Sequence, residues 1–250
     1  MLNILIPMAG LGSRFSNAGY KDPKPLIPVG GVPMIQVVIN NLKPATAHRF
    51  IFVCQRQHVT EYGLAEKFMH WAPGCRLVEI DGLTDGAACT ALAAADLIDN
   101  DHALMIANSD QYIDYSIDDY LSRMAQENLD GLIMTMKADD PKWSFVDLKN
   151  RLVTRVVEKE VISDEATVGI YNFRRGCDFV IAAKNMIRKN LRTNNEFYVA
   201  PVYNQLIEAG ARIGICNIGT DAHGMHGLGT PADLERFLGL PLLQQAVEGL

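Results

Sequence analysis

Residues 2–15 read LNILIPMAGLGSRF, an apolar run that gives way to a loop with two glycines. The run Leu2–Pro7 has the length and composition of a buried β-strand. Gly10 and Gly12 permit a tight turn in which backbone N–H groups can face a phosphate chain, and Arg14 adds a planar cation suited to phosphate oxygens. The loop lacks the third glycine of a dinucleotide fingerprint and the Gly-Lys-Ser/Thr of a Walker loop. On its own it therefore fits both a phosphate loop and an ordinary strand-to-helix turn.

Apolar segments and segments of helical length alternate along the rest of the first half. Further strands are predicted at 49–54, 76–80 and 103–107, and helices at 35–41, 60–69 and 89–97. This alternation predicts an α/β fold with a mostly parallel sheet. Right-handed crossovers would place the loops after the strands at one edge of the sheet, which is where open α/β sheets bind ligands.

The second half contains segments rich in β-branched residues, separated by polar loops. Strands are predicted at 132–137, 153–157, 166–173 and 212–218, and helices at 178–189, 198–209 and 231–238. The last helix is expected to be capped near Thr230. This pattern predicts a mixed sheet with some antiparallel pairing. Because no repeat or linker divides the chain, we expect a single domain over residues 1–250.

Composition excludes several classes of protein. The 250 residues are 48% hydrophobic and 21% charged, which is typical of a globular protein with a sizeable core. A net charge of -6 without blocks of like charge argues against a nucleic-acid binder. No apolar run approaches the roughly 18 residues of a membrane span, and the N-terminus lacks the features of a secretory signal. The five cysteines show no CxxC pair or metal spacing, so we expect free thiols and a cytoplasmic location.

A second motif, KDPKPLIPV at residues 21–29, follows the glycine loop. Its three prolines fix a stiff, extended segment. Such a segment can hold Lys24 in a defined place, whereas the alternative is a solvated loop with surface lysines.

Together the two motifs resemble the nucleotidylyltransferase family that makes nucleoside diphosphate sugars. The signature of that family is a GxGxR loop followed by a P-K-P/Q-L-x-P-V segment. Later segments resemble further family elements in the same order, namely the base-contacting turn at 84–88, the metal-binding G-D-N at 108–111, V-E-K at 157–159, T-G-I-Y at 167–171 and the closing D-T-G-T-P at 227–231. The resemblance covers residues 2 to about 238.

The resemblance implies a Rossmann-like, GT-A-like nucleotidyltransferase fold with a mixed, mostly parallel central sheet. It implies a nucleotide-binding half at about 1–130 and an acceptor-binding half at about 131–240. The expected partners are an NTP and a sugar 1-phosphate or related small phosphorylated acceptor, used for surface-polysaccharide precursor synthesis, with Mg²⁺ as cofactor. Relatives often form dimers or tetramers, which leaves a homo-oligomer open, and neither nucleic acid nor membrane is expected as a partner.

The resemblance also assigns roles to individual residues. Arg14 and Lys24 would serve the triphosphate, Asp110 the Mg²⁺ and Lys159 the acceptor phosphate. The nucleotide-binding residues would be Ala9, Gly10, Gly12, Thr84, Gly86 and Ala87. The acceptor-binding residues would be Lys159, Gly169, Asn195 and Glu196.

Two departures from the family pattern affect the metal site. Gly227 stands where sugar-phosphate members carry the aspartate that completes the Mg²⁺ site, and S-D-Q replaces G-D-N. Asp221, six residues upstream, is a candidate replacement. Asp110 also has a simpler interpretation as the N-cap of a following helix. Asn195 likewise fits a helix cap, and Trp143 fits either a core position or the acceptor pocket.

Three functions are therefore considered. The first is a nucleotidylyltransferase, including a cytidylyltransferase for a non-sugar phosphate, which the missing aspartate keeps open. The second is a nucleotide-sugar-dependent glycosyltransferase of the related fold, in which Asp110 has a DxD-like role but the GxGxR loop has none. The third is a catalytically silent nucleotide sensor.

Overall fold

The structure is a computed structural model that describes residues 1–250. The strands are β1 (Leu2–Pro7), β2 (Pro28–Val29), β3 (Val32–Pro33), β4 (His48–Gln55), β5 (Arg76–Ile80), β6 (Ala103–Ala107), β7 (Gln111–Ile113), β8 (Gly131–Lys137), β9 (Ser144–Lys149), β10 (Leu152–Glu158), β11 (Glu165–Phe173), β12 (Ile213–Asp221) and β13 (Gly224–Gly227). The α-helices are α1 (Ser13–Asn17), α2 (Met34–Leu42), α3 (Arg56–Tyr62), α4 (Leu64–Trp71), α5 (Ala87–Leu92), α6 (Ala95–Ile98), α7 (Ile117–Gln126), α8 (Gly176–Arg188), α9 (Val202–Glu208), α10 (Pro231–Leu238) and α11 (Leu242–Val247).

The main sheet is mixed and has 11 strands. Nine of them follow the order β5-β4-β1-β6-β11-β8-β12-β13-β7, and the other two, β9 and β10, lie off this path. Strands β5, β4, β1 and β6 are mutually parallel, as the alternation of the first half predicts. Strand β11 runs antiparallel to both β6 and β8, which confirms the mixed sheet. The hairpin of β9 and β10 extends from β11. The predicted mixed, mostly parallel α/β architecture is confirmed.

The unbroken apolar run of β1 reflects burial on both faces of the sheet. Ile4 and Ile6 belong to one hydrophobic cluster and Leu5 to another, because successive side chains of a strand point to opposite faces. All three side chains are fully buried. A central parallel strand covered on both sides requires this composition.

The carboxyl ends of the parallel strands place several loops at one edge. The glycine loop follows β1 and residues 108–110 follow β6, and β1 pairs directly with β6. Strand β11 reaches the same edge from the acceptor half, where the N–H of Asn108 donates to the carbonyl of Gly169 at 3.0 Å. The expected common edge is therefore present, and it brings both halves of the chain together.

Three predicted helices differ from those observed. The segment 60–69 divides into α3 and α4 at Gly63, whose φ of 61° lies in the left-handed region. The segment 89–97 divides into α5 and α6. The helix predicted at 198–209 begins only at Val202, because Pro201 has no N–H for a helix that began earlier and disfavours the helical conformation of the residue before it.

The cysteines and the helices can be compared with the expectations of free thiols and of no membrane span. All five cysteines are free, and Cys54, Cys75 and Cys216 are buried. None of the helices combines the length and the apolar character needed to cross a bilayer.

Candidate active site

Three adjoining cavities lie at this edge, and Asn108 and Asp110 line all of them. The glycine-loop cavity, of about 250 Å³, extends to Gly10 and Lys24. The Thr230 cavity, of about 370 Å³, lies beside the loop that precedes α10. The Lys159 cavity, of about 490 Å³, extends into the acceptor half. Together they form one cleft with Asp110 at its centre, which is the arrangement that the resemblance implies.

The glycine loop packs closely against the proline-rich segment. Gly12 has a φ of 62°, and a Cβ there would lie 3.0 Å from the Cβ of Lys24. Only glycine adopts this φ and this close approach to Lys24 without strain. Lys24 itself starts a single 3-10 turn, Lys24–Leu26, with Pro25 at its second position. The stiff segment therefore fixes Lys24 as predicted.

Lys24 and Asp110 form an ion pair at the centre of the cleft. The Lys24 Nζ lies 2.7 Å from Asp110 Oδ2, and the two side chains are 23% and 22% exposed. Lys24 is therefore not a freely solvated surface lysine. The interpretation of Asp110 as a helix cap is wrong, because strand β7 follows it and pairs with β13. Gly229 makes room for the carboxylate, since a Cβ there would lie 2.5 Å from Asp110 Oδ2.

Arg14 lies on α1 and lines both the Thr230 and the Lys159 cavity. It is exposed and makes no hydrogen bond or ion pair within the chain. The glycine loop therefore presents a cation whose five donors are free for a ligand.

The base-contacting turn of the resemblance is tied to the acceptor half. Gly86, with a φ of 115°, would place a Cβ 2.6 Å from the carbonyl oxygen of Phe197. The Phe197 carbonyl accepts from the N–H of Ala88 at 2.9 Å, and the Phe197 N–H donates to Asp85 at 2.7 Å. The Thr84 hydroxyl lies 2.6 Å from that of Thr90. The turn is thus fixed by backbone contacts, and Ala87 reaches the Lys159 cavity.

Gln55 is a positioning residue that sequence reasoning missed. Its buried amide donates to the carbonyls of Ala9 at 2.8 Å and Gly82 at 2.7 Å. It thereby joins the glycine loop to the segment before the base-contacting turn. The signal available in the sequence was a polar residue at the end of the apolar strand β4.

Lys159 projects into the cavity from an unusual backbone conformation. Its φ is 58°, and its N–H donates to the carbonyl of Trp143 at 3.0 Å. The ammonium donates to the Tyr198 hydroxyl at 2.6 Å, and this hydrogen bond raises the pKa of Lys159.

Trp143 is half-buried, packs against the core and also lines the cavity, so both interpretations of it hold in part.

The other predicted acceptor residues separate into two groups. Gly169 and Glu196 line the Lys159 cavity, and Gly169, at a φ of 81°, leaves the space that the Asn108 side chain occupies. Asn195 lines none of the three cavities and caps no helix, and its carbonyl accepts from Arg192 at 3.3 Å. The structure therefore does not bring Asn195 to the site.

Glu158, next to Lys159, is a second residue whose importance sequence reasoning missed. It lines the Lys159 cavity, is 9% exposed and accepts a hydrogen bond from Ser144. Burial is the main cause that raises the pKa of Glu158 above its ordinary value of 4.5.

This raised pKa predicts a pH-dependent cost in stability. The unfolded chain releases the Glu158 proton at lower pH than the folded protein, so stability falls as pH rises through 4.5 toward the folded pKa. Glu158→Gln keeps an acceptor for Ser144 and should have a higher Tm than the parent at pH 7. The difference should vanish below pH 4.5. Tm measured across this range tests the expectation, with exposed Glu160→Gln as the control. A lower Tm for Glu158→Gln at neutral pH would contradict it.

The residues around Asp110 fit a Mg²⁺ ion that keeps several waters and phosphate oxygens as ligands. Mg²⁺ often takes only one or two protein carboxylates, and no group of three or more potential ligands occurs here. Asp221 is a poor second ligand, because it lines none of the three cavities. Asp233 lines the Thr230 cavity, and its carboxylate lies 3.7 Å from the Cβ position of Gly227. The Asp233 carboxylate also accepts from the Thr230 hydroxyl at 2.6 Å and lies 3.3 Å from Arg236. Asp233 is thus the carboxylate nearest to where the family aspartate would project.

No histidine lines any of the three cavities. His226 lies in β13 and is buried. Burial lowers the pKa of His226.

The chain is similar to two known enzymes over part of its length. A 51-residue stretch is 47% identical to a 2-aminoethylphosphonate cytidylyltransferase of Lancefieldella rimae, covering 20% of this chain and 21% of that protein. A 178-residue stretch is 24% identical to the bifunctional protein GlmU of Methanococcus aeolicus, covering 69% of this chain and 40% of that protein. The chain therefore spans less than half the length of each of these relatives.

A solved structure matches over nearly the whole chain. The nucleoside-diphosphate-sugar pyrophosphorylase of Vibrio cholerae superposes with a TM-score of 0.81 at 25% identity, covering 95% of this chain and all of that one. The sequence model for the nucleotidyl transferase family matches residues 4–212, which include the glycine loop, Asp110 and Lys159. On these grounds, the chain belongs to the nucleotidyl transferase family.

Proposed function

We propose that the protein transfers a nucleoside monophosphate from an NTP to a small phosphorylated acceptor and releases pyrophosphate. The observation that carries this proposal is the position of Asp110 between two sets of cations. Lys24 lines the glycine-loop cavity and Lys159 the Lys159 cavity, while Arg14, which follows the glycine loop in sequence, lines the Lys159 cavity as well. Such a cleft suits two anions that must approach each other.

The chemistry needs positioning more than it needs a strong base. A phosphate monoester with a second pKa of about 6 is largely ionised at pH 7, so its oxygen can attack directly. That oxygen forms a bond to the α-phosphorus, the bond between the α-phosphorus and the bridging oxygen breaks, and pyrophosphate leaves with the electron pair. Arg14 and Lys24 would bind the triphosphate and Lys159 the acceptor phosphate, which offsets the repulsion between the two substrates.

Mg²⁺ is part of the proposal, with Asp110 as its principal protein ligand and Asp233 as the nearest second carboxylate. When bound, the ion would offset negative charge on the phosphate oxygens. Lys24 orients the Asp110 carboxylate through their 2.7 Å contact.

Two acceptor classes follow from the relatives. The Vibrio cholerae structure, a nucleoside-diphosphate-sugar pyrophosphorylase, supports a sugar 1-phosphate. A role in surface-polysaccharide precursor synthesis stays a prediction of the resemblance. The Lancefieldella rimae protein supports the alternative, a cytidylyltransferase for a non-sugar acceptor, and the glycine at 227 is consistent with that alternative. A glycosyltransferase would have no evident use for Arg14, whose guanidinium has no partner within the chain.

Pyrophosphate release tests the proposal. The protein is mixed with each NTP and with a panel of sugar phosphates, aminoalkyl phosphates and phosphonates, with Mg²⁺ present. We expect release that requires both an NTP and one class of acceptor. A glycosyltransferase or a silent sensor would release no pyrophosphate with any pair, and that result would contradict the proposal.

Lys159→Met should raise the KM for the acceptor about 10- to 100-fold, as the loss of a charge-assisted hydrogen bond predicts. The KM for the NTP should change much less, because Lys159 lies in the acceptor half. Steady-state kinetics with each substrate varied in turn measure both constants. Lys149→Met, at an exposed lysine without an ion pair, is the matched control. Equal effects of Lys159→Met on both substrates would contradict the assignment.

A further inference from the structure

The Lys159 cavity contains two cations that form no ion pair within the chain. Arg14 makes no ion pair, and the Lys159 ammonium has only the neutral Tyr198 hydroxyl as a partner, at 2.6 Å. Both side chains can therefore take the phosphate groups of the substrates.

The same cavity contains two carboxylates that form no ion pair. Glu158 and Glu196 both line it, and neither takes part in an ion pair. Glu158 is 9% exposed, and only its Oε2 accepts a hydrogen bond, from Ser144. Its Oε1 accepts none, so half of this buried carboxylate is free for a ligand. A buried carboxylate without an ion pair is costly, because its lost hydration is only partly offset.

Aromatic rings lie beside these carboxylates. Trp143 and Tyr198 line the cavity, and the Trp143 carbonyl accepts from the residue that follows Glu158. The ammonium groups of Lys142 and Lys159 lie 4.9 and 4.7 Å from the two ring centroids. The faces of both rings attract cations, and each already holds a lysine ammonium group at this wall of the cleft.

We propose that the acceptor is a dipolar molecule, with a phosphate or phosphonate group at one end and a positively charged amine at the other, and that Glu158 and Glu196 bind the amine. This inference rests on the proposed function and names its acceptor class. The amine is an ion-pair partner for Glu158, while Lys159 holds the anionic end. The uncharged ring of a sugar 1-phosphate would cover Glu158 further and would offer only hydroxyl donors. The cavity of about 490 Å³ is of ordinary size for a small-molecule site.

Matched acceptors test the inference. O-phosphoethanolamine is compared with 2-hydroxyethyl phosphate, 2-aminoethylphosphonate with 2-hydroxyethylphosphonate, and glucosamine 1-phosphate with glucose 1-phosphate, each with every NTP. In at least one pair, kcat/KM from pyrophosphate release should be about 30-fold or more higher for the amine, as expected for a buried charge pair. The pair that reacts also distinguishes phosphate from phosphonate.

Two outcomes separate failure of this inference from failure of the proposed function. Pyrophosphate release that is as fast with the hydroxyl members as with their amine partners would overturn the amine assignment and leave nucleotidyl transfer standing. No release with any acceptor would overturn both.

Substitutions then locate the amine. Glu196→Gln, at an exposed residue, should reduce the preference for the amine over its hydroxyl partner about 10-fold, and Glu158→Gln should reduce it at least as much. Glu160→Gln, next to Lys159 but outside the cavity, should leave the preference unchanged. An unchanged preference in both cavity variants would overturn the assignment, even if overall activity falls, because a merely structural role would affect both acceptors alike.

Discussion

Asp110→Asn should reduce kcat/KM about 100-fold or more while the protein stays folded. The Asp110 carboxylate lies at the junction of the three cavities, where it would hold Mg²⁺ against the triphosphate. Asparagine keeps an oxygen for Lys24 but removes the charge. The Lys24–Asp110 pair is partly exposed, and such pairs contribute only about 1 kcal/mol or less, so the Tm should change little.

Two measurements distinguish a lost metal ligand from general damage. Calorimetry of NTP binding at several Mg²⁺ concentrations should show that the variant needs more Mg²⁺ for the same affinity. Asp114→Asn changes an exposed carboxylate without a partner just beyond β7, and it should behave like the parent. An Asp110→Asn variant within a few-fold of the parent at low Mg²⁺ would show that the metal assignment is wrong.

Arg14→Ala should lower kcat/KM for the NTP about 30-fold, which corresponds to about 2 kcal/mol of lost transition-state stabilisation. The Arg14 guanidinium is exposed and unpaired in the chain, so its removal should leave the Tm unchanged. The effect would arise only when the nucleotide covers the side chain. The kcat/KM of Arg14→Lys should lie between those of the parent and of Arg14→Ala, because lysine keeps the charge but loses the planar fork.

Steady-state kinetics with the NTP varied check this expectation. Arg188→Ala, on the exposed surface of α8, is a matched control whose only side-chain contact is with Asn185. An unchanged kcat/KM in Arg14→Ala would exclude Arg14 from the triphosphate site.

The parts of the site that the sequence predicts are those fixed by local backbone chemistry. The apolar strand β1 leads directly into the glycine loop, and the prolines around Lys24 limit where that lysine can lie. The strand β6 delivers Asp110 to the same edge, because parallel strands end together. Each of these features depends on residues close in sequence and on one general rule of sheet topology.

The parts that the sequence does not predict depend on contacts between distant segments. Asp110 resembles a helix cap locally, but pairing of β7 with the far β13 makes the next residues a strand. The hydrogen bonds from Gln55 to Ala9 and Gly82 join residues that are 46 and 27 positions apart in sequence. The burial of Glu158 arises only when the β9–β10 hairpin folds against β11. Such long-range packing overrides the local patterns from which helices and caps are predicted.

The most direct test of the claim that the acceptor attacks the α-phosphorus follows an isotopic label from the acceptor into the products. The reactive acceptor, synthesised with ¹⁸O in its phosphate or phosphonate oxygens, is incubated with the NTP, Mg²⁺ and the protein, and mass spectrometry is applied to the products. We predict that every labelled oxygen remains in the nucleotidyl–acceptor conjugate and that the pyrophosphate carries none. Labelled inorganic phosphate, or a nucleoside monophosphate formed without any conjugate, would contradict the account.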